Sequence, residues 1–130
     1  MKLKDRVAIV TGGGKGIGEE ICLGLAKEGA KIVIAEIDIA NSENAKKKIL
    51  DTGSEAIIVK TDVSKKDSIN EMVEKAIQTF GKIDILFNNA AFSDFNYFFN
   101  RKNKINPINM GEVIWVINPE DIANIGSFFK

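Results

Sequence analysis

The sequence has almost no cysteine, little proline, no excess charge of either sign and no long apolar run. Its single cysteine, Cys22, excludes an intrachain disulfide and fits a reducing compartment. Lying within an apolar helical stripe, it reads as a small core residue. The 18 basic and 18 acidic side chains cancel, so no chain-wide field points to nucleic acid or to an anionic membrane as partner. The one dense basic run, Lys46-Lys47-Lys48, reads as a solvated helix face. No apolar stretch approaches the length of a membrane span, and Met1-Lys2-Leu3-Lys4-Asp5-Arg6 leads into a strand rather than a signal peptide. The expectation is a soluble, cytoplasmic protein. At 130 residues the chain can build one domain with a sizeable core, and not two.

What is present is concentrated early. The stretch Thr11-Gly12-Gly13-Gly14-Lys15-Gly16-Ile17-Gly18 lies between the β-branched run Val7-Ala8-Ile9-Val10 and a helix-like segment. A buried strand, a glycine cluster and an amphipathic helix, in that order, can hold a phosphate against a helix N-terminus. Gly12 can take the backbone angles of a tight turn, Gly16 lets the main chain approach a pyrophosphate, and Gly18 allows close helix packing. The older dinucleotide fingerprint, Gly-x-Gly-x2-Gly, does not complete. It would need glycine at Ile17 in one register and at Glu19 in another. A ligand-free strand-to-helix turn remains the plain alternative.

Strands and helices then alternate. Strands are expected at residues 7–10, 31–35, 56–60 and 83–87. Helices are expected at 15–28, with Ile17, Ile21 and Leu25 on one face, at 39–51, and after Ser64, where Ser64 and Asp67 read as a helix start. Ile69, Met72, Val73, Ala76, Ile77 and Phe80 supply the third helix's apolar face, with Gly81 as its stop. The near-continuous apolar run at 31–35 marks a strand buried on both faces, as in parallel sheets. Right-handed crossovers, taken with the strand order of the dinucleotide-binding fold, give an α/β, Rossmann-like doubly wound parallel sheet of order 3-2-1-4. The order reverses between strands one and four, whose carboxyl ends carry Thr11-Gly12 and Asn88-Asn89 beside one crevice.

Residues 11–18 resemble the Thr-Gly-x3-Gly-x-Gly signature of the short-chain dehydrogenase/reductase family, and the resemblance extends over residues 3–91. It implies a nicotinamide dinucleotide site built from Gly12, Gly14, Lys15, Gly16, Ile17 and Gly18. Glu36 resembles the family's acidic acceptor for the adenosine ribose hydroxyls, and its charge repels a 2′-phosphate, favouring NAD. Lys15 argues for NADP, since a basic residue before the second signature glycine often accompanies it in the family. Glu36 would sit closer to the 2′-position, so NAD is the expected cofactor. Asp62-Val63 resembles the pair that borders the adenine. Asn88-Asn89-Ala90-Ala91 resembles Asn-Asn-Ala-Gly, which supports the sheet and lines the nicotinamide-side ribose. A solvated strand end for Glu36, a turn-initiating Asp62 and an Asn-rich turn at 88–89 are the alternatives.

Beyond Ala91 the resemblance weakens. Six of the eight Phe residues, the only Tyr, the only Trp and both Pro residues fall there, dividing a dinucleotide-binding core at 1–91 from an atypical tail at 92–130 packed on the same domain. The family's chemistry needs a Tyr acting as general acid/base with a Lys four residues later. Tyr97 is followed at that spacing by Arg101, which lacks the Lys geometry, and it lies too early for the catalytic helix. Ser93 reads as a loop residue, and no catalytic residue or metal ligand is assigned. Residues 113–117 read as a strand and Asn118-Pro119-Glu120-Asp121 as a helix start. Two alignments compete. Asn118 takes the family's structural Asn role, or residues 119–123 match the Pro-Glu-Asp-Ile-Ala helix near the family's C-terminus, with the catalytic middle deleted.

The Asn-, Lys-, Ile- and Phe-biased stretch 96–109 suggests a loop and a truncated or rearranged gene product. Strand four would then be an exposed apolar edge. Residues 113–117 folding back, or a second copy forming a homo-oligomer through that edge or the tail, would cover it. The expected function is NAD(H) binding without family catalysis by this chain alone. The alternatives are an oxidoreductase completed by an oligomer or partner, and a non-enzymatic interaction module or remnant.

Overall fold

A computed structural model describes residues 1–89 and the strand at 114–116. The elements follow in the order β1 (Val7–Thr11), α1 (Gly16–Lys27), β2 (Lys31–Glu36), α2 (Ile39–Asp51), β3 (Ala56–Lys60), α3 (Lys66–Phe80), β4 (Ile85–Asn88) and β5 (Ile114–Val116). They build one five-stranded sheet of order β3-β2-β1-β4-β5. The first four strands are parallel, with Ile9 opposite Val33 and Leu86, and Ile34 opposite Ile58. This is the expected 3-2-1-4 order, with β5 added antiparallel to β4, Leu86 opposite Trp115. The edge of β4 is therefore covered by the chain's own fold-back.

Alternation along β1 sends its side chains into two cores. Val7 and Ile9 join Val33, Val59, Leu86 and the α3 residues Ile69, Met72 and Ala76 on one face. Ala8 and Val10 join Ile32, Ile34, Cys22 and Ala26 of α1, and Ala45 and Ile49 of α2 on the other. Val7, Ala8, Ile9 and Val10 are each at most 1% exposed, so the central strand is apolar on both faces, as its sequence required.

Three local expectations are corrected. The buried face of α1 is Gly18, Cys22 and Ala26, one position on from Ile17, Ile21 and Leu25. The helix start lies against the glycine turn, where only small residues fit, so Ile21 and Leu25 pack at the flank and Ile17 is left 74% exposed. Ser64 does not cap α3, whose N-cap is Lys65 with no side-chain bond. The Ser64 hydroxyl and amide instead donate to Asp62 Oδ1, a shorter path than reaching the helix. The fourth strand begins at Ile85 rather than 83. Asp84 anchors its start: the carboxylate accepts from the Val7 amide at 2.8 Å and pairs with Arg6 and Lys82.

Candidate functional site

The carboxyl ends of β1, β2, β3 and β4 and the N-terminus of α1 meet at a cleft of about 720 Å³. β1 enters its turn at Gly12, whose N–H donates to Ala35 O at 2.7 Å and whose φ is 66°. Gly16, which lines the cleft, also has positive φ, 57°, and a Cβ there would meet nothing within 4 Å. Between them Lys15 forms the N-cap of α1 in extended conformation without a side-chain bond. The first-turn amides thus have no side-chain cap and can receive an anion. Gly18 closes the turn: a Cβ on it would sit 2.0 Å from Gly12 O and 2.7 Å from Asn89 Nδ2.

At the far wall Glu36 is buried at 7% exposure. Its Oε2 accepts from the amides of Ile37 at 2.9 Å and Asp38 at 3.4 Å. Asp62 lies on the rim after β3. The hydroxyl and then the amide of Ser64 hold its carboxyl below the usual range, so it is ionised at neutral pH. On the β4 side Asn89 donates to Gly12 O at 3.3 Å. Asn88 is buried one step behind, where its Oδ1 accepts from the Thr11 hydroxyl at 3.2 Å, and the two residues are register partners in the sheet.

Of the sequence-derived candidates, Gly12, Lys15, Gly16, Ile17, Gly18, Glu36, Asp62, Val63 and Asn89 line the cleft together. Gly14 and Asn88 stand behind its wall, and Ala90 lies outside the described residues. Ala35, Ile37, Asp38 and Thr61 also line it and were not anticipated. Ile37 carried a usable signal, an apolar residue between Glu36 and Asp38 in a turn where nothing else calls for one. It is 57% exposed. Ile17 and Ile37 thus offer uncovered apolar surface inside a cleft that also has a helix N-terminus and a hydrogen-bonded carboxylate. That donor and acceptor set fits a dinucleotide: flat rings on the aliphatic groups, a pyrophosphate at the glycine turn and a hydroxyl-bearing sugar at Glu36. Among the described residues no cluster of side chains suits a metal ion, and no helix is long and apolar enough to cross a membrane.

Four parallel strands with the switch point between β1 and β4, and a glycine turn at that point, define a Rossmann-like α/β fold. The family description "short chain dehydrogenase" matches residues 6–114, and the chain belongs to that family. It is 40% identical over 99 residues to an uncharacterized oxidoreductase of Thermotoga maritima, an alignment covering 76% of this chain and 39% of the relative. Among solved structures, NAD+-bound xylitol dehydrogenase superposes with a TM-score of 0.73 at 30% identity, covering 85% of this chain and 45% of that one. A metagenomic short-chain oxidoreductase in complex with NADP superposes with a TM-score of 0.68 at 32% identity, covering 71% and 42%. The chain therefore spans less than half the length of these relatives.

Proposed function

We propose that this chain binds NAD(H) in the cleft and, alone, does not carry out the family's hydride transfer. The reading rests above all on Glu36, a buried carboxylate with one oxygen tied to two backbone amides and the other without a hydrogen bond among the described residues. That arrangement suits acceptance of ribose hydroxyls. Glu36, Asp38 and Asp62 share the cleft with the single cation Lys15 among its described lining residues. A further 2′-phosphate would be repelled there. In this reading Gly12, Gly16, Ile17, Gly18 and Lys15 receive the pyrophosphate, and Asp62 and Val63 border the adenine. Asn89 faces the nicotinamide-side ribose, with Asn88 and Gly14 supporting the walls. When bound, the nicotinamide supplies a hydride acceptor or donor.

Lys15 favours NADP as the second reading, and one structural relative carries that cofactor. The reading that this chain alone lacks family catalysis is supported by its only Tyr, Tyr97, which has Arg101 rather than Lys four residues on. We further take the tail at 92–130 as part of the same domain, since β5 joins the sheet, and a cytoplasmic location as the setting. A homo-oligomer pairing along β5 would protect that edge. Light scattering showing a clean monomer would remove it.

Calorimetric titration with NAD and NADH, followed by turnover assays with simple alcohols and ketones, tests the function. Binding without turnover is expected. No heat with either nucleotide refutes the site, and steady turnover refutes the inactive reading.

A further inference from the structure

Gly14 belongs to the glycine turn but is not among the residues lining the cleft, and its neighbours are specific. A Cβ on Gly14 would lie 2.5 Å from Ser42 Oγ, 2.8 Å from Glu36 Cγ and 3.2 Å from Glu36 Oε1. The turn, the end of β2 and the first turns of α2 therefore interlock around the Glu36 side chain. Ser42 is fully buried, and its hydroxyl donates to Asp38 O at 3.0 Å. Asp38 in turn donates its amide to Glu36 Oε2 at 3.4 Å and caps α2 by accepting from the Asn41 amide. Ser42 is thus linked to Glu36 in two ways: both side chains crowd the space beside Gly14, and a hydrogen-bonded relay runs through Asp38.

We infer that Ser42 is a positioning residue for Glu36 and, with the space left by Gly14, sets how strongly the cleft selects a ribose with a free 2′-hydroxyl over one carrying a 2′-phosphate. The inference rests on the dinucleotide reading above. A buried carboxylate discriminates by its placement: fixed, it accepts from hydroxyls and repels a phosphate, whereas loosened it swings aside and does both less well. Ser42 touches neither cofactor nor cleft, and it acts only through Glu36.

The test is the ratio of NAD to NADP affinity, by calorimetry, in wild type, Ser42→Ala, Glu36→Gln and the double variant, with thermal stability measured in parallel. Ser42→Ala should lower the ratio roughly three- to tenfold, the scale of one buried hydrogen bond. In the Glu36→Gln background the same substitution should leave the ratio unchanged, because its target is gone. Gly14→Ala should shift the ratio in the same direction. If it does not fold, the Ser42 series decides alone. A loss of stability with both affinities falling by one factor would make Ser42 a packing residue only and overturn the inference. An equal change of ratio in both backgrounds would overturn it too. Wild-type protein that binds neither dinucleotide removes the functional reading itself, and this inference with it. Binding with an unmoved ratio removes this inference alone.

Discussion

Gly18 and Gly12 close the glycine turn on each other: the α-carbon of Gly18 lies so near the Gly12 carbonyl that a methyl group added there would stand 2.0 Å from the oxygen. The obstacle is backbone, and a backbone carbonyl that also accepts from Asn89 cannot simply turn aside. Gly18→Ala should therefore cost about 2–3 kcal/mol, the scale of overpacking in a tight interior. Urea denaturation would show it. An alanine variant as stable as wild type would mean that the turn is far more yielding.

Asp84 gives the protein an acid-sensitive anchor. Burial raises its carboxyl pKa, but the Val7 amide, Lys82 and Arg6 outweigh that and leave it below its ordinary value of 3.8. A carboxyl with a depressed folded-state pKa contributes stability that is complete above the unfolded value and is lost as pH falls through the folded one. Asp84→Asn should cost about 2 kcal/mol near neutrality, the scale of a hydrogen bond to a charged group. It should also flatten the decline of stability below about pH 4. Urea midpoints across that range read both effects, and parallel acid limbs would contradict them.

Cys22 should be chemically silent in the native protein. Burial first, and the Glu19 charge second, push its thiol up to about 12. At pH 8 the thiolate is then about one part in ten thousand, and the thiol sits on the buried face of α1. Iodoacetamide should modify the protein only at the rate of unfolding, and fast labelling of native protein would contradict this.

Much of this was legible in the sequence because it rests on strong local signals. The apolar runs of β1 and β2 fit only a sheet covered on both faces, and the strand–glycine–helix order placed the cleft. The misses share a cause, close approach, which hydropathy does not encode. Ile17 fell both on the apolar side of a helical wheel and within the site motif, and it lies exposed along the cleft because the turn at Gly12 and Gly18 leaves room only for small residues. Gly14 read as part of the ligand cradle because it sits in the motif, whereas its missing side chain makes room for Glu36 and Ser42. Ser64 matched a helix start, but Asp62 two residues earlier was the nearer acceptor. The strand at 114–116 was visible as an apolar run, while its antiparallel pairing with β4 depends on the path of the intervening chain.

The central claim, that a dinucleotide occupies this cleft, is tested most directly by amide hydrogen exchange with and without NAD. Protection should rise at residues 12–18, 36–38 and 61–63 together, since these segments line one cleft, and the outer helix α3 should not change. Exchange at those three segments that is the same with saturating NAD, or protection confined to other parts of the chain, would contradict the account.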